Sequence, residues 1–211
     1  MNTGQIIVIG LSLALVLWFA GGTWYNRRRA QRLWRWLEPG LAAFGGRVGK
    51  PWFSASGAGL RVAVENPRPP FRRVELIMRL QPRENPPLWL FEWVQGRRDQ
   101  LALRAWLRSP GNSEVEIVPA GSALERDLQA RSDQAWQRTT GPSHWVITWR
   151  GKLAQEQVAG LQTFVSAYEH QLQRFSQRPS EPHLFLQMTL NALTDKSSEE
   201  LLGQVKAAVT T

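Results

Sequence analysis

The chain has 211 residues, of which 43% are hydrophobic, and a formal net charge of +9. This length and apolar content suit one membrane anchor and one domain with a buried core, and they exclude a disordered chain. The sequence has no cysteine, which excludes disulfide bonds, thiolate nucleophiles, iron–sulfur clusters and every zinc site that uses sulfur.

The first predicted element is a membrane-spanning helix over residues 6–25. These twenty positions carry no charged side chain, and at about 1.5 Å per residue such a helix covers the roughly 30 Å hydrocarbon core of a bilayer. Trp24 and Tyr25 stand at its C-terminal end, where aromatic side chains meet the lipid headgroups. A cleaved secretory signal with the small residues 20–22 near its cut site is the alternative, but such signals have a basic N-terminal region and a shorter apolar stretch.

Basic residues lie on one side of this segment. Residues 1–5 have no basic side chain, whereas five arginines follow the apolar stretch. By the positive-inside rule, residues 1–5 are a short extracytoplasmic N-terminus and the domain after the helix is cytoplasmic. The chain is therefore predicted to be a single-pass, signal-anchored membrane protein. Its predicted membrane interface consists of Trp24, Tyr25, Arg27, Arg28, Arg29, Arg32 and Arg35.

Most of the positive charge lies in residues 26–50, predicted as a basic juxtamembrane helix and linker. This stretch has seven Lys or Arg residues against one Glu, a net charge of +6, which leaves +3 for residues 51–211. Cations at this position attract anionic lipids by about 1 kcal/mol each. Nucleic acid is not an expected partner, because binding it requires a basic face on the domain itself.

The first helix is predicted to continue beyond the membrane until Pro39 and Gly40 end it. Trp34 and Leu37 share one face of this extension, which can lie on the bilayer or against the domain. Residues 41–50 contain three glycines and are interpreted as a hinge or linker into a cytoplasmic α+β domain over residues 51–211.

Apolar residues then alternate with polar ones, which predicts strands. A turn at residues 57–59 joins the first two strands into a hairpin. The pattern indicates a mainly antiparallel sheet with one packed face and one more polar face. The predicted strands cover residues 52–56, 60–65, 74–80, 101–108, 115–118, 144–149 and 184–190.

A short, very apolar helix is predicted over residues 85–96, with Asn85 as its N-cap, proline in the first turn and Gly96 just past its end. Large apolar residues followed by two arginines are typical of segments that lie in a membrane interface. A core helix or a buried strand is the alternative. The candidate residues for contact with the membrane or a partner are Trp89, Phe91, Trp93, Arg97 and Arg98.

The last third of the chain is predicted to be largely helical. Apolar residues recur at steps of four and three over residues 154–175, which predicts one long helix that covers the sheet and ends before Pro179. Ser197 and Glu200 have the spacing of a capping box and predict the start of a final amphipathic helix. Together these elements give a single α+β domain after one transmembrane helix.

Motifs for catalysis are missing from the sequence. It has no complete phosphate-binding loop, HExxH zinc motif or GxSxG nucleophile motif. His144, His170 and His183 lack the spacing of metal ligands, and Glu114 with Glu116 is interpreted as the solvent face of a strand. No cofactor, metal or catalytic residue is predicted.

These observations predict a non-enzymatic, membrane-anchored cytoplasmic interaction or accessory domain. Its expected partners are the lipid bilayer, anionic lipid and another membrane protein, since Gly10 and Ala14 form a small-xxx-small pair that can seat a second helix. The first alternative is a domain that binds a lipid or small ligand in an apolar pocket between sheet and helices. The second is an enzyme without a recognisable motif, and the oligomeric state is not predicted.

Overall fold

The computed structural model describes residues 2–131 and 136–210 as an α+β chain with 43% helix and 28% strand, which confirms the predicted class. The helices are α1 (Thr3–Gly40), α2 (Pro86–Val94), α3 (Ala123–Arg131), α4 (Gln155–Tyr168) and α5 (Ser198–Thr210), with short 3-10 helices at Leu41–Phe44 and Leu193–Asp195. The strands are β1 (Arg47–Val48), β2 (Trp52–Phe53), β3 (Gly59–Glu65), β4 (Phe71–Arg79), β5 (Gln100–Leu107), β6 (Glu114–Pro119), β7 (Trp136–Thr140), β8 (Trp145–Arg150), β9 (Leu172–Gln177) and β10 (Leu184–Thr189).

The described strands form one sheet of ten strands in the order β1-β3-β4-β5-β10-β9-β6-β8-β7, and β2 also pairs with β3. Every pairing is antiparallel, as the alternating pattern predicted. β10 is the last strand in the chain but lies between β5 and β9. It therefore joins the early strands to the late ones in one continuous surface.

The two faces of this sheet differ in chemistry. On the inner face, one row of residues in register runs across seven strands, and all of its members are almost completely buried. On the outer face, the same register brings charged residues together, such as Glu75 of β4 opposite Arg104 of β5. The inner row consists of Val62, Leu76, Leu103, Leu186, Phe175, Ile117 and Ile147.

Helices α1, α4 and α5 supply the other side of the core. The second half of α1 buries Ala30, Leu33 and Leu37, and the 3-10 helix that follows buries Leu41 and Phe44. Helices α4 and α5 add the apolar stripes that their sequences predicted. The buried residues of these stripes are Leu161, Phe164, Val165 and Tyr168 on α4, and Leu201, Leu202 and Val205 on α5.

The stretch expected to be a hinge or linker is part of the packed domain at its start. Leu41 and Phe44 are fully buried, and the Phe44 ring meets the Phe71 ring edge to face at a centroid distance of 5.2 Å. Gly40 does not mark flexibility, because a Cβ there would lie 2.5 Å from the carbonyl oxygen of Ser198 in α5. Glycine at this position lets two helices approach closely.

The predicted helix over residues 154–175 ends earlier than expected. Helix α4 ends at Tyr168, and Leu172 with Phe175 lies in strand β9. A register shift in the pairing of β9 with β10 leaves Gln173 without an opposite residue. Because this bulge turns residues three apart to the same face, Leu172 and Phe175 both enter the core with a spacing that imitates a helix.

Candidate membrane interface

The N-terminal half of α1 is a fully solvent-facing apolar helix. Residues 2–21 are all exposed, and large side chains such as Ile7 and Leu17 are more than half accessible. In the part of the chain that the structure describes, this is the one helix long and apolar enough to cross a membrane. A bilayer would cover the apolar surface that the domain leaves open.

Two loops of the domain meet α1 at the end of this apolar half. The Asn26 side chain is buried, and its Nδ2 donates to the carbonyl oxygen of Gln81 at 3.0 Å. On another side of the helix, Arg27 Nη2 donates to the carbonyl oxygen of Ala55 at 2.8 Å. Trp24 and Tyr25, where the headgroups are expected, directly precede the first residues of α1 that contact the domain.

Helix α2 has the ends that its sequence predicted. Asn85 Oδ1 accepts from the backbone N–H of Leu88 at 3.1 Å, which caps the first turn. Pro86 occupies the first helical position, where a backbone N–H has no partner within the helix. Gly96 follows with a φ of +71°, a conformation that favours glycine.

The orientation of α2 is the reverse of that of a core helix. Phe91, Trp93 and Val94 are 56%, 52% and 71% exposed, whereas Glu92 is only 3% exposed. The Glu92 carboxylate faces the domain and forms an ion pair with Arg79 and a longer one of 3.8 Å with Arg97. The charge is thus turned inward and the apolar side chains outward, which leaves an exposed apolar surface on the domain.

This helix stands beside the apolar half of α1. The rings of Trp18 and Trp89 lie 6.1 Å apart between centroids, and Trp18 Nε1 donates to the carbonyl oxygen of Arg83 at 2.9 Å. The chain approaches so closely that a Cβ at Gly22 would overlap the backbone carbonyl of Arg83. Trp18 precedes Tyr25 by seven residues, so α2 reaches about 10 Å along α1 beyond the expected headgroup level. Interfacial helices bury their apolar faces by about 5–10 Å.

A buried polar network fixes α1 to the loop before α2. The Asp99 carboxylate is almost inaccessible and pairs with Arg29 at 2.7 Å and Arg83 at 3.2 Å. Asp99 Oδ1 also accepts from the backbone N–H of Gln81 at 2.8 Å, and Arg83 Nη1 donates to Asn26 Oδ1 at 3.1 Å. A buried carboxylate with several donors holds its partners in one geometry.

The predicted interface residues are used in different ways. The Arg28 guanidinium lies over the Trp24 ring and that of Arg83 lies over the Tyr25 ring, at 5.3 and 5.2 Å from the ring centroids. Arg29 is directed to the buried Asp99 carboxylate, which it shares with Arg83, so it faces the domain and not the lipid. Trp89 is partly buried, and the other predicted side chains are exposed: Trp24, Tyr25, Arg27, Arg28, Arg32, Arg35, Phe91, Trp93, Arg97 and Arg98.

Sequence reasoning missed the residues that join the two apolar elements. In the sequence, Trp18 is one of many apolar residues of the predicted span, and Gly22 is one of three small residues near its end. No pattern pointed to Asp99, because its partners Arg29 and Arg83 are distant in sequence. A carboxylate directly after two arginines and before a strand was the one available signal.

Two other polar groups are structural. Glu116 was interpreted as lying on a solvent face but is only 1% exposed. His183 is buried, and its Nδ1 accepts from the backbone N–H of Leu107 at 2.9 Å. In residues 2–131 and 136–210, no group of three or more metal-ligating side chains is found. The sequence matches no protein-family model and no curated protein.

Proposed function

We propose that this chain is a non-enzymatic, membrane-anchored cytoplasmic interaction or accessory domain that contacts the bilayer at two places. The first contact is the single span of α1 over residues 6–25, with the N-terminus outside. The second is α2, whose apolar side chains enter the cytoplasmic leaflet beside α1. The outward Phe91, Trp93 and Val94, set against the inward Glu92, are the observation that carries the proposal.

Two contacts define an orientation that one helix alone does not. A single span leaves a domain free to rotate about the helix axis and to tilt, whereas a second inserted element limits both motions. The Asp99 network supports this arrangement, since it joins α1, the loop before α2 and the start of β5. The domain would thereby present the same edge and the same sheet face to a partner in the membrane.

The flanking charges support insertion at the level of the headgroups. Arg97 and Arg98 follow α2 after Gln95 and Gly96 and are exposed, and Arg32 and Arg35 are exposed on α1 below the span. Arginine at this depth reaches anionic headgroups while its aliphatic stem covers apolar surface. The Glu92 carboxylate, which the lipid would repel, is held inside by Arg79.

The membrane contact of α2 can be measured by spin labelling, because the chain has no native cysteine to remove. A nitroxide at Val94→Cys in full-length protein reconstituted into liposomes is expected to collide more with oxygen than with a water-soluble nickel chelate. The matched control is Asn112→Cys, an exposed turn residue, which should show the reverse preference. Equal, water-like collision rates at both positions would contradict the second contact.

Separate experiments test the topology and the interaction role: maleimide labelling in cells and co-purification from native membranes. Cytoplasmic placement predicts that Asn112→Cys is protected from a membrane-impermeant maleimide in intact cells and reacts after permeabilisation. An accessory role predicts a stoichiometric protein partner after gentle extraction from native membranes. Recovery of the chain alone with one defined lipid would instead favour a lipid-binding domain.

A further inference from the structure

A cleft on the outer face of the sheet collects three arginine side chains. It has a volume of about 330 Å³ and lies where β5, β10 and β9 run side by side. Arg104 comes from β5, Arg174 from β9 and Arg178 from the loop after β9, while Phe185 of β10 forms part of the wall. We refer to these four residues as the arginine cleft.

A single buried carboxylate compensates part of this charge. Glu116 Oε1 accepts from Ser176 Oγ at 2.7 Å and from Arg178 Nε at 2.8 Å, and Glu116 Oε2 accepts from Arg174 Nη2 at 3.2 Å. Glu181 at the rim is paired with Arg72 outside the cleft. Glu75, which lies opposite Arg104 in the sheet, is paired with Arg61. Once these outer pairs are set aside, three guanidinium groups share one carboxylate, which leaves an excess of two positive charges.

Hydrogen-bond donors also remain free in the arginine cleft. Within residues 2–131 and 136–210, the Arg104 side chain has no hydrogen bond or ion pair, and Nη1 of Arg174 and Arg178 has no acceptor. Each guanidinium has five N–H donors in a rigid planar fork. An anion in the cleft would meet donors that the protein itself does not satisfy.

Two of the three arginines, Arg174 and Arg178, are held in place before any ligand binds. The backbone N–H of Arg178 donates to the carbonyl oxygen of His183 at 2.8 Å, and the buried His183 ring accepts from Leu107, so the loop between β9 and β10 is closed at its base. Arg174 lies over the Phe185 ring, 5.9 Å from the centroid. Glu116 therefore acts as the internal counterion that orients Arg174 and Arg178.

We propose that the arginine cleft binds the phosphate group of a small phosphomonoester. Such a group carries about −1.5 to −2 charges at neutral pH, which matches the excess of two positive charges. Guanidinium forks fit phosphate oxygens in a bidentate manner. The cleft volume is at the lower end of the range of small-molecule sites, roughly 300–1,000 Å³. The Phe185 ring offers an apolar surface to the organic part of the ligand.

The proposal is tested by isothermal titration calorimetry on the full-length protein in a nonionic detergent, with glycerol 3-phosphate and inorganic phosphate as probes. We expect binding that weakens as salt rises, and an affinity at least about tenfold lower for Arg104→Ala, because charged hydrogen bonds are lost. Arg104→Lys keeps the charge but lacks the planar fork of N–H donors. Its affinity should lie between those of the wild type and Arg104→Ala. Arg104 is chosen because Arg174 and Arg178 also neutralise the buried Glu116, and their loss could unfold the domain.

The matched control is Arg47→Ala, which removes an equally exposed arginine from β1, three strands away. It should bind the probes like the wild type. Affinities of Arg104→Ala and the wild type within a factor of two would overturn the proposal. An absence of binding by both soluble probes and by phosphatidic acid at low salt would overturn it as well.

The source of the phosphate group is decided by a further comparison. Nanodiscs that contain phosphatidic acid present the same phosphomonoester on a lipid, and phosphatidylcholine nanodiscs serve as the reference. Arginine-dependent binding to the soluble probes identifies a free phosphorylated ligand. Binding that depends on Arg104 only in the phosphatidic acid nanodiscs identifies a lipid headgroup.

Discussion

Residues 3–25 and 26–40 belong to one continuous helix, yet their side chains meet opposite surroundings. The first part is apolar on all sides and exposed except at Gly22 and Thr23 near its end, whereas the second buries Asn26, Ala30, Leu33, Leu37 and Gly40 along one stripe. The spacing of four, three, four and three residues is that of a helix packed on one face. The change of pattern at Asn26 therefore marks where the segment long and apolar enough to cross a membrane ends and the packed domain begins.

The continuity of α1 has a mechanical consequence. A flexible linker would isolate the domain from the anchor, but the helix enters the core without a break and ends against α5. Under the proposed topology, any tilt of the apolar part would be passed to the domain through the same helix. The two parts of α1 and the domain are joined without a break at Asn26.

The largest expected effect is a difference in unfolding free energy between the same substitution in the packed half and in the exposed half of α1. Leu37→Ala should lower the free energy of unfolding by about 2–5 kcal/mol, because it leaves a cavity in a fully buried site. Leu13→Ala, the same change at an exposed position, should leave the unfolding of the domain unchanged. Denaturant unfolding of the full chain in a nonionic detergent, followed by tryptophan fluorescence, measures both. Equal effects would mean that the two halves do not differ as described.

Substitutions at two neighbouring glycines test the boundary between the exposed and the packed part of α1. A Cβ at Gly22 would lie 2.6 Å from the backbone nitrogen of Glu84, whereas a Cβ at Gly21 meets nothing within 4 Å. Gly22→Ala should therefore lower stability by about 1–2 kcal/mol and push α2 away from α1. Gly21→Ala should be neutral or raise stability by about 0.5–1 kcal/mol, since alanine favours the helix.

Two measurements compare the glycine variants: the free energy of unfolding and the depth of the spin label at Val94→Cys in the bilayer. The spin label at Val94→Cys should report a shallower site in the Gly22→Ala background and an unchanged one in the Gly21→Ala background. A Gly22→Ala protein as stable as the Gly21→Ala protein would show that the close contact between α1 and the loop at Arg83 is not formed.

The features predictable from the sequence are those with a strong local period. The apolar span, the alternating strands β3, β4, β5 and β10, and the capped helix α2 are all in the structure. Helix α3 and strand β7 were not predicted, because α3 is mostly polar and β7 at the sheet edge has no residue classed as buried. Neither element carries the apolar pattern on which the predictions depended.

The remaining differences come from contacts distant in sequence. The helix ends at Gly40 as predicted, but no local pattern shows that glycine is needed there because α5 packs against it at Ser198. The inward charge of Glu92 depends on Arg79, and the arginine cleft depends on strand order, which no local pattern reveals. A sequence indicates which residues can be buried, whereas topology decides which polar groups meet.

The smallest expected effect is the change in stability at pH 7 caused by Tyr168→Phe, a substitution close to Lys196, whose carbonyl oxygen binds α1. Trp36 Nε1 donates to the carbonyl oxygen of Lys196 at 2.8 Å, and the Lys196 ammonium lies 4.6 Å from the centroid of the Tyr168 ring. The buried Tyr168 hydroxyl has no hydrogen-bond partner among the described residues. Tyr168→Phe should therefore change stability at pH 7 by less than about 1 kcal/mol, because no hydrogen bond is lost.

The same residue should make the domain sensitive to high pH. Burial, with a smaller contribution from the negative charge of Glu200, raises the pKa of Tyr168 from 10.0 to about 12. The folded state thus holds the phenol proton more tightly than the unfolded state. The stability linked to this proton is fully present below pH 10 and is lost as the pH rises through about 12. Unfolding measured at pH 8, 10 and 11.5 should show the wild type losing stability relative to Tyr168→Phe, and a constant difference between the two would contradict the burial of a neutral phenol at Tyr168.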